Sequence, residues 1–142
     1  MIDIHRIDPF LPPFEHEIVW VCGLTQDEHQ FEVLQALSLS NVLVNTPQAI
    51  GICASKVFTT ALLMRHSVPS PRTLFTSSKE IASRFIQEHG RVVIKPIYGF
   101  DGHGIFLIDA PGQLGNPPYY LQEYVPNDRD FRIFVIDGEP VG

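Results

Sequence analysis

The chain is poor in charge. Only 18% of its 142 residues are Asp, Glu, Lys or Arg, the net charge is -6, and no block of Lys or Arg stands out. That excludes the basic footprint on which nucleic-acid binding depends, so any anion must be gripped locally. Cysteine is scarce too. Cys22 and Cys53 sit in apolar sequence without Cys-x-x-Cys spacing, which reads as buried free thiols rather than a disulfide or metal pair, and fits a reducing cytoplasm. No apolar run approaches the roughly 18 residues of a membrane span. The opening segment carries Asp3, Asp8 and three prolines where a secretion signal needs a basic start and an unbroken apolar core. Internal repeats and low-complexity tracts are missing. So is a Gly-x-x-x-x-Gly-Lys-Ser/Thr phosphate loop, and Gly99-x-x-Gly102-x-Gly104 has neither the spacing nor the strand-to-helix context of a dinucleotide fold. What is present, at 44% hydrophobic, is enough for an ordinary globular core of about one domain.

Hydrophobic periodicity and turn chemistry predict an α/β (α+β) chain. Glu17 to Cys22 reads as a short buried strand, and Thr25-Gln26-Asp27-Glu28 has capping-box spacing ahead of a helix carrying Phe31, Leu34 and Leu37. Asn41 to Val44 is a second strand. Thr46-Pro47 suits an N-cap followed by proline at the first helical position, and a further helix covers about Ala54 to His66. Pro69 and Pro71 end that region, Arg72 to Phe75 can be a strand, and Ser77-Ser78-Lys79-Glu80 caps a helix to His89 that Gly90 closes. From there the pattern is strands: Arg91 to Lys95, Ile105 to Asp109, Tyr119 to Tyr124 and Phe131 to Ile136, with Asp137-Gly138 as a tight turn. Only Glu139 to Gly142 follow that turn, so the sequence reads as a fragment, as does its single opening strand and helix.

The most informative segment is Val92-Val93-Ile94-Lys95-Pro96 running into Tyr98-Gly99-Phe100-Asp101-Gly102-His103-Gly104. An apolar run delivers one ammonium to a strand end, and the glycines let main-chain N–H groups converge on an anion without Cβ atoms in the way. On its own such a segment also describes a plain hairpin.

Four features taken together, Lys56 in Ala54-Ser55-Lys56, Lys95-Pro96 with its loop, Gln122-Glu123-Tyr124-Val125 and Asp130-Phe131-Arg132, resemble the ATP-grasp superfamily. The RimK-like carboxylate-amine ligases are the nearest branch, through Asn45-Thr46-Pro47-Gln48-Ala49-Ile50, Lys56 and Val68-Pro69-Ser70-Pro71-Arg72-Thr73 in order. The resemblance implies a truncated ATP-grasp fold: the tail of a preceding α/β domain over 1–45, the small lobe with its glycine flap over 46–117, and the hinge with the first large-lobe strands over 118–142. It implies Lys95 and Lys56 on nucleotide phosphates, with Gly99, Gly102, His103 and Gly104 in a flap closing over them. His103 is equally readable as an exposed loop histidine. Gln122, Glu123, Tyr124 and Val125 would form the hinge that reads adenine through its backbone, although Tyr119 to Val125 also reads as plain core strand.

Asp130 would lie by the ribose, with Asp128 the substitute because the linker before it is short. Arg132, two residues along one strand, would be the catalytic group near the transferring phosphoryl; for Asp130 and Arg132 as a pair, surface ion pairing with Arg129 or Asp128 is the bland alternative. The implied reaction joins a small-molecule or peptide carboxylate to an amine such as glutamate through an acyl phosphate, with ATP and Mg²⁺ as cofactors. The Mg²⁺ ligands are expected beyond Gly142, so no residue here is assigned to metal and the chain alone is not expected to turn over ATP. A cytoplasmic protein with no nucleic-acid or membrane partner is expected, homo-oligomerisation being left open. The competing reading is a nucleotide-binding or regulatory module of the same ancestry without catalysis.

Overall fold

The computed structural model describes residues 7, 8, 10, 15–22, 28–98 and 103–141, and their apolar side chains gather into two cores. The smaller core is built by β1 (Ile18–Trp20), α1 (Glu28–Leu37) and β2 (Val42–Val44). The strands pair in parallel, Val19 opposite Leu43, and the helix lays Val33, Leu34 and Leu37 over them. Pleat alternation turns Ile18, Trp20, Val42 and Val44 to the opposite, exposed face. The expected buried strand at Glu17 to Cys22 is therefore corrected: it is shorter and covered on one side only. The cysteine expectation is corrected too, since Cys22 and Cys53 are free but exposed. Apolar sequence neighbours do not bury a residue whose own side of the element faces outward. The anticipated cap at Thr25-Gln26-Asp27-Glu28 lies outside the described side chains.

Two short helices connect the cores. In α2 (Pro47–Ala54) the Thr46 hydroxyl accepts from the Ala49 N–H at 3.2 Å, with proline at the helix start, as the Thr46-Pro47 signal predicts. Ser55 then adopts extended dihedrals, ending α2 and capping α3 (Lys56–Arg65) through the Phe58 N–H at 3.2 Å.

The larger core lies under a four-stranded antiparallel sheet of order β3 (Thr73–Thr76), β6 (Tyr119–Glu123), β4 (Val92–Lys95), β5 (Phe106–Ile108). Helix α4 (Lys79–His89) packs Ala82 and Ile86, one turn apart, against Val92, Ile108, Tyr119 and Leu121. The cap is Ser78 rather than Ser77: its hydroxyl accepts from the Ile81 N–H and donates to Glu80 Oε2. Gly90 closes the helix at φ +72°, a left-handed position where glycine avoids the Cβ penalty. β6 is a central strand here, so the sheet runs on to Glu123; strand pairing, invisible in sequence, decides this.

A separate hairpin, β7 (Phe134–Ile136) with β8 (Glu139–Val141), turns through Asp137 (φ +52°) and Gly138 (φ +84°), as the Asp-Gly signal predicts. Its residues are exposed on both faces. The strand expected from Phe131 begins only at Phe134, so Asp130 and Arg132 do not share a strand and the alternation argument that set them side by side fails.

Candidate functional site

Register assigns the sheet's second face. Lys95 lies opposite Tyr120, while Val93 and Thr73 flank Gln122, and all of these point away from the α4 core. Helix α3 covers part of this face, with the Thr60 and Tyr120 hydroxyls 2.7 Å apart. The start of α3 is tied to the chain just after Lys95: the Lys56 N–H donates to the Ile97 carbonyl at 3.1 Å and Ser55 forms a β-bridge with Tyr98. Local capping thus delivers Lys56 to the edge of the face that carries Lys95.

Burial and like charge set the electrostatics of this edge. Burial lowers the Lys95 ammonium below its ordinary value, and the nearby charge of Lys56 lowers it further; burial also lowers Lys56. No acidic residue occupies the first turn of α3, so a cation stands against the positive end of the helix dipole, an arrangement a bound anion relieves. Lys95 Nζ donates to Gln122 Oε1 at 2.6 Å, and Gln122 Nε2 donates to Thr73 Oγ1 at 3.0 Å. Among the described residues the hydrogen-bonded partner of this half-buried cation is a neutral amide.

The hinge residues divide by face. The Glu123 N–H donates to the Arg72 carbonyl at 2.8 Å, and its carboxylate accepts from the Arg72 N–H at 2.9 Å. The other carboxylate oxygen lies 3.8 Å from His89 Nδ1. Tyr124 donates its N–H to the Arg91 carbonyl and lies under the Arg91 guanidinium, 5.1 Å from the ring centre. Among the described residues the Val125 N–H has no main-chain acceptor.

His103 and Gly104 are exposed in a turn beside Pro96, Gly104 at φ +73°; Gly99 and Gly102 lie outside the described residues. Asp130 accepts from Asn127 Nδ2 at 3.0 Å, and Asp128 pairs with Arg129 at 3.3 Å on the surface. No described contact joins Asp130 or Arg132 to the lysine pair. A depression of about 650 Å³ opens between α1 and α2, lined among others by Glu32, Gln48, Ser55 and Tyr98. It adjoins the lysine face through Ser55 and Tyr98 but neither lysine lines it. Sequence reasoning missed Thr73, Thr60 and Tyr120, whose roles depend on cross-strand and helix-to-sheet contacts without local signature.

Residues 56–142 match the family of the prokaryotic glutathione synthetase ATP-grasp domain. A glutathione synthetase of Agrobacterium fabrum is 35% identical over 125 residues, covering 78% of this chain and 37% of that protein. A tetrahydromethanopterin:alpha-L-glutamate ligase of Methanosarcina acetivorans is 31% identical over 135 residues, covering 80% of this chain and 42% of that one. The chain thus spans less than half the length of either relative. The solved ATP-grasp ligase PsnB, complexed with minimal precursor, Mg and ADP, superimposes with a TM-score of 0.63 at 25% identity, over 87% of this chain and 50% of that one. D-alanyl-alanine synthetase A from Vibrio cholerae shares the fold at a TM-score of 0.68 and 12% identity, over 88% of this chain and 43% of that one.

Proposed function

Because the chain belongs to the prokaryotic glutathione synthetase ATP-grasp domain family, we propose that it is the nucleotide-phosphate-gripping portion of an ATP-dependent carboxylate-amine ligase. The observation that carries this reading is the placement of Lys56 and Lys95 together, both half-buried, with Lys95 feeling the charge of Lys56. Two compact ammonium groups match the spread negative charge of a polyphosphate better than a single carboxylate would.

In the proposed reaction a substrate carboxylate oxygen attacks the γ-phosphorus of ATP, the bond to the bridging oxygen breaks, and ADP leaves. The acyl phosphate formed is attacked at its carbonyl carbon by an amine, which expels inorganic phosphate, loses a proton and leaves an amide. Phosphoryl transfer is catalysed chiefly by positioning and charge stabilisation. Lys95 and Lys56 hold the phosphate oxygens, the flap with His103 and Gly104 closes over them, and Val125 reads the base edge from the hinge. Asp130 serves the ribose and Arg132 the transferring group only if a bound nucleotide draws their segment across. Among the described residues no group of three or more His, Cys, Asp or Glu side chains converges as a metal site. No residue described is assigned to Mg²⁺, and no step is routed through it.

The chemistry of the relatives points to a peptide or small-molecule carboxylate as one substrate and an amine, glutamate among the candidates, as the other. No described helix is long and apolar enough to cross a membrane, in keeping with the proposed cytoplasmic setting. Calorimetric titration of ATP and ADP into the wild type, Lys95→Ala and Lys56→Ala tests the reading: both nucleotides should bind the wild type and lose affinity in each variant. Equal, negligible affinity in all three would overturn it, whereas lysine-dependent binding by a whole protein without amide synthesis would favour the regulatory-module alternative.

A further inference from the structure

A chain of hydrogen bonds runs across the lysine face, and its direction is set from one end. The Pro71 carbonyl can only accept, and the Thr73 hydroxyl donates to it at 2.9 Å. Having given up its one proton, the Thr73 oxygen can only accept from its next neighbour. Gln122 therefore turns its NH₂ toward Thr73, at 3.0 Å, and its carbonyl oxygen toward Lys95, at 2.6 Å. An ammonium group can only donate, so both ends of the chain demand the same amide orientation. Reversing the amide would set two donors against each other at Lys95 and two acceptors against each other at Thr73.

We propose that Thr73 is a positioning residue: by fixing the polarity of the Gln122 amide it presents an acceptor to Lys95 and keeps that ammonium charged and aimed at the nucleotide site. Thr73 acts on Lys95 through Gln122. The inference rests on the proposed nucleotide-binding role of Lys95, but the hydrogen-bond chain stands without a nucleotide.

The groups around Lys95 make the effect readable. Lys56 faces it from α3, and the Tyr120 phenol, its cross-strand partner on β6, is engaged with Thr60. Glu123 and His89 meet each other on the α4 side of the sheet. With burial and Lys56 already working against the charged form, loss of the Gln122 acceptor removes a bond made to that form, and a reversed amide opposes it directly.

The test is to follow the protonation of Lys95 in the full chain through its side-chain NMR resonances, assigned with Lys95→Arg. Thr73→Val and Thr73→Ala both remove the hydroxyl, one keeping the volume and the other emptying it, so a folding failure of one leaves the other usable. Either variant should raise the acid dissociation constant of Lys95 by about tenfold, Gln122→Leu should do the same, and Thr73→Ser should restore the wild-type midpoint. A purely structural Thr73 would lower thermal stability without moving that midpoint; an unmoved midpoint in the folded variants overturns the proposal. ATP titrated alongside should bind the Val and Ala variants several-fold more weakly above the shifted midpoint. If the wild type binds no ATP, the functional reading fails while the Lys95 midpoints still decide the role of Thr73.

Discussion

The two faces of the four-stranded sheet are built from the same strands and follow different rules. Toward α4, Val92, Leu121, Ala82 and Ile86 are at most 1% exposed and meet as hydrocarbon, the arrangement that maximises area removed from water. On the other face Thr73, Gln122 and Lys95 form a polar chain, and Lys95 carries a depressed proton affinity that costs stability rather than adding it. One strand supplies both: on β6, Leu121 goes to the core and its neighbour Gln122 to the lysine. Apolar packing and polar chemistry are thus separated by the pleat, which lets one change without the other.

Leu121→Ala tests that separation most severely. It should cost about 2–5 kcal/mol of unfolding free energy in a denaturant titration, with nucleotide affinity unchanged while the protein is folded. Next, Lys95→Ala should cost about 2–5 kcal/mol of nucleotide affinity by calorimetry and leave the unfolding transition nearly unmoved. If Lys95→Ala unfolds the protein as deeply as Leu121→Ala does, the two faces are not independent.

A subtler effect is proton linkage. The folded values of Lys56 and Lys95 lie below 10.5, so between those values and 10.5 the unfolded chain holds protons that the folded chain has released. Stability from these two groups therefore rises with pH through that window. Nucleotide binding runs the other way: phosphate favours the charged lysines, so binding takes up protons and affinity falls with pH over the same window. Calorimetry in two buffers of different ionisation enthalpy should register that uptake, and Lys95→Ala should reduce it. Smallest, Ser78→Ala removes the cap of α4 and should cost about 1 kcal/mol of stability with no effect on nucleotide, measured by thermal unfolding and titration together.

Turns and caps were legible because they are local. Thr46-Pro47, Gly90 and Asp137-Gly138 act through neighbours in sequence, and side-chain chemistry over a few residues decides them. Lys56 and Lys95 were legible as candidates for the same reason, each by its own motif. Legibility failed wherever a partner is remote. Trp20 and Cys53 sit in apolar sequence yet are exposed, because burial depends on what packs against a face. Asp130 and Arg132 were set on a common strand that begins only at Phe134, because strand ends are decided by pairing.

What the amino-acid order determined by itself was most of the helices and strands, the caps at Thr46 and Gly90, and the two lysines worth suspecting. Only the tertiary structure decided that Lys56 is brought to the edge of the face carrying Lys95, and that Gln122 meets Lys95 and Thr73 meets Gln122 among the described residues. The reason is physical: caps and turns are short-range bonds, whereas cross-strand register and charge proximity arise only once distant segments are brought together by burying the core.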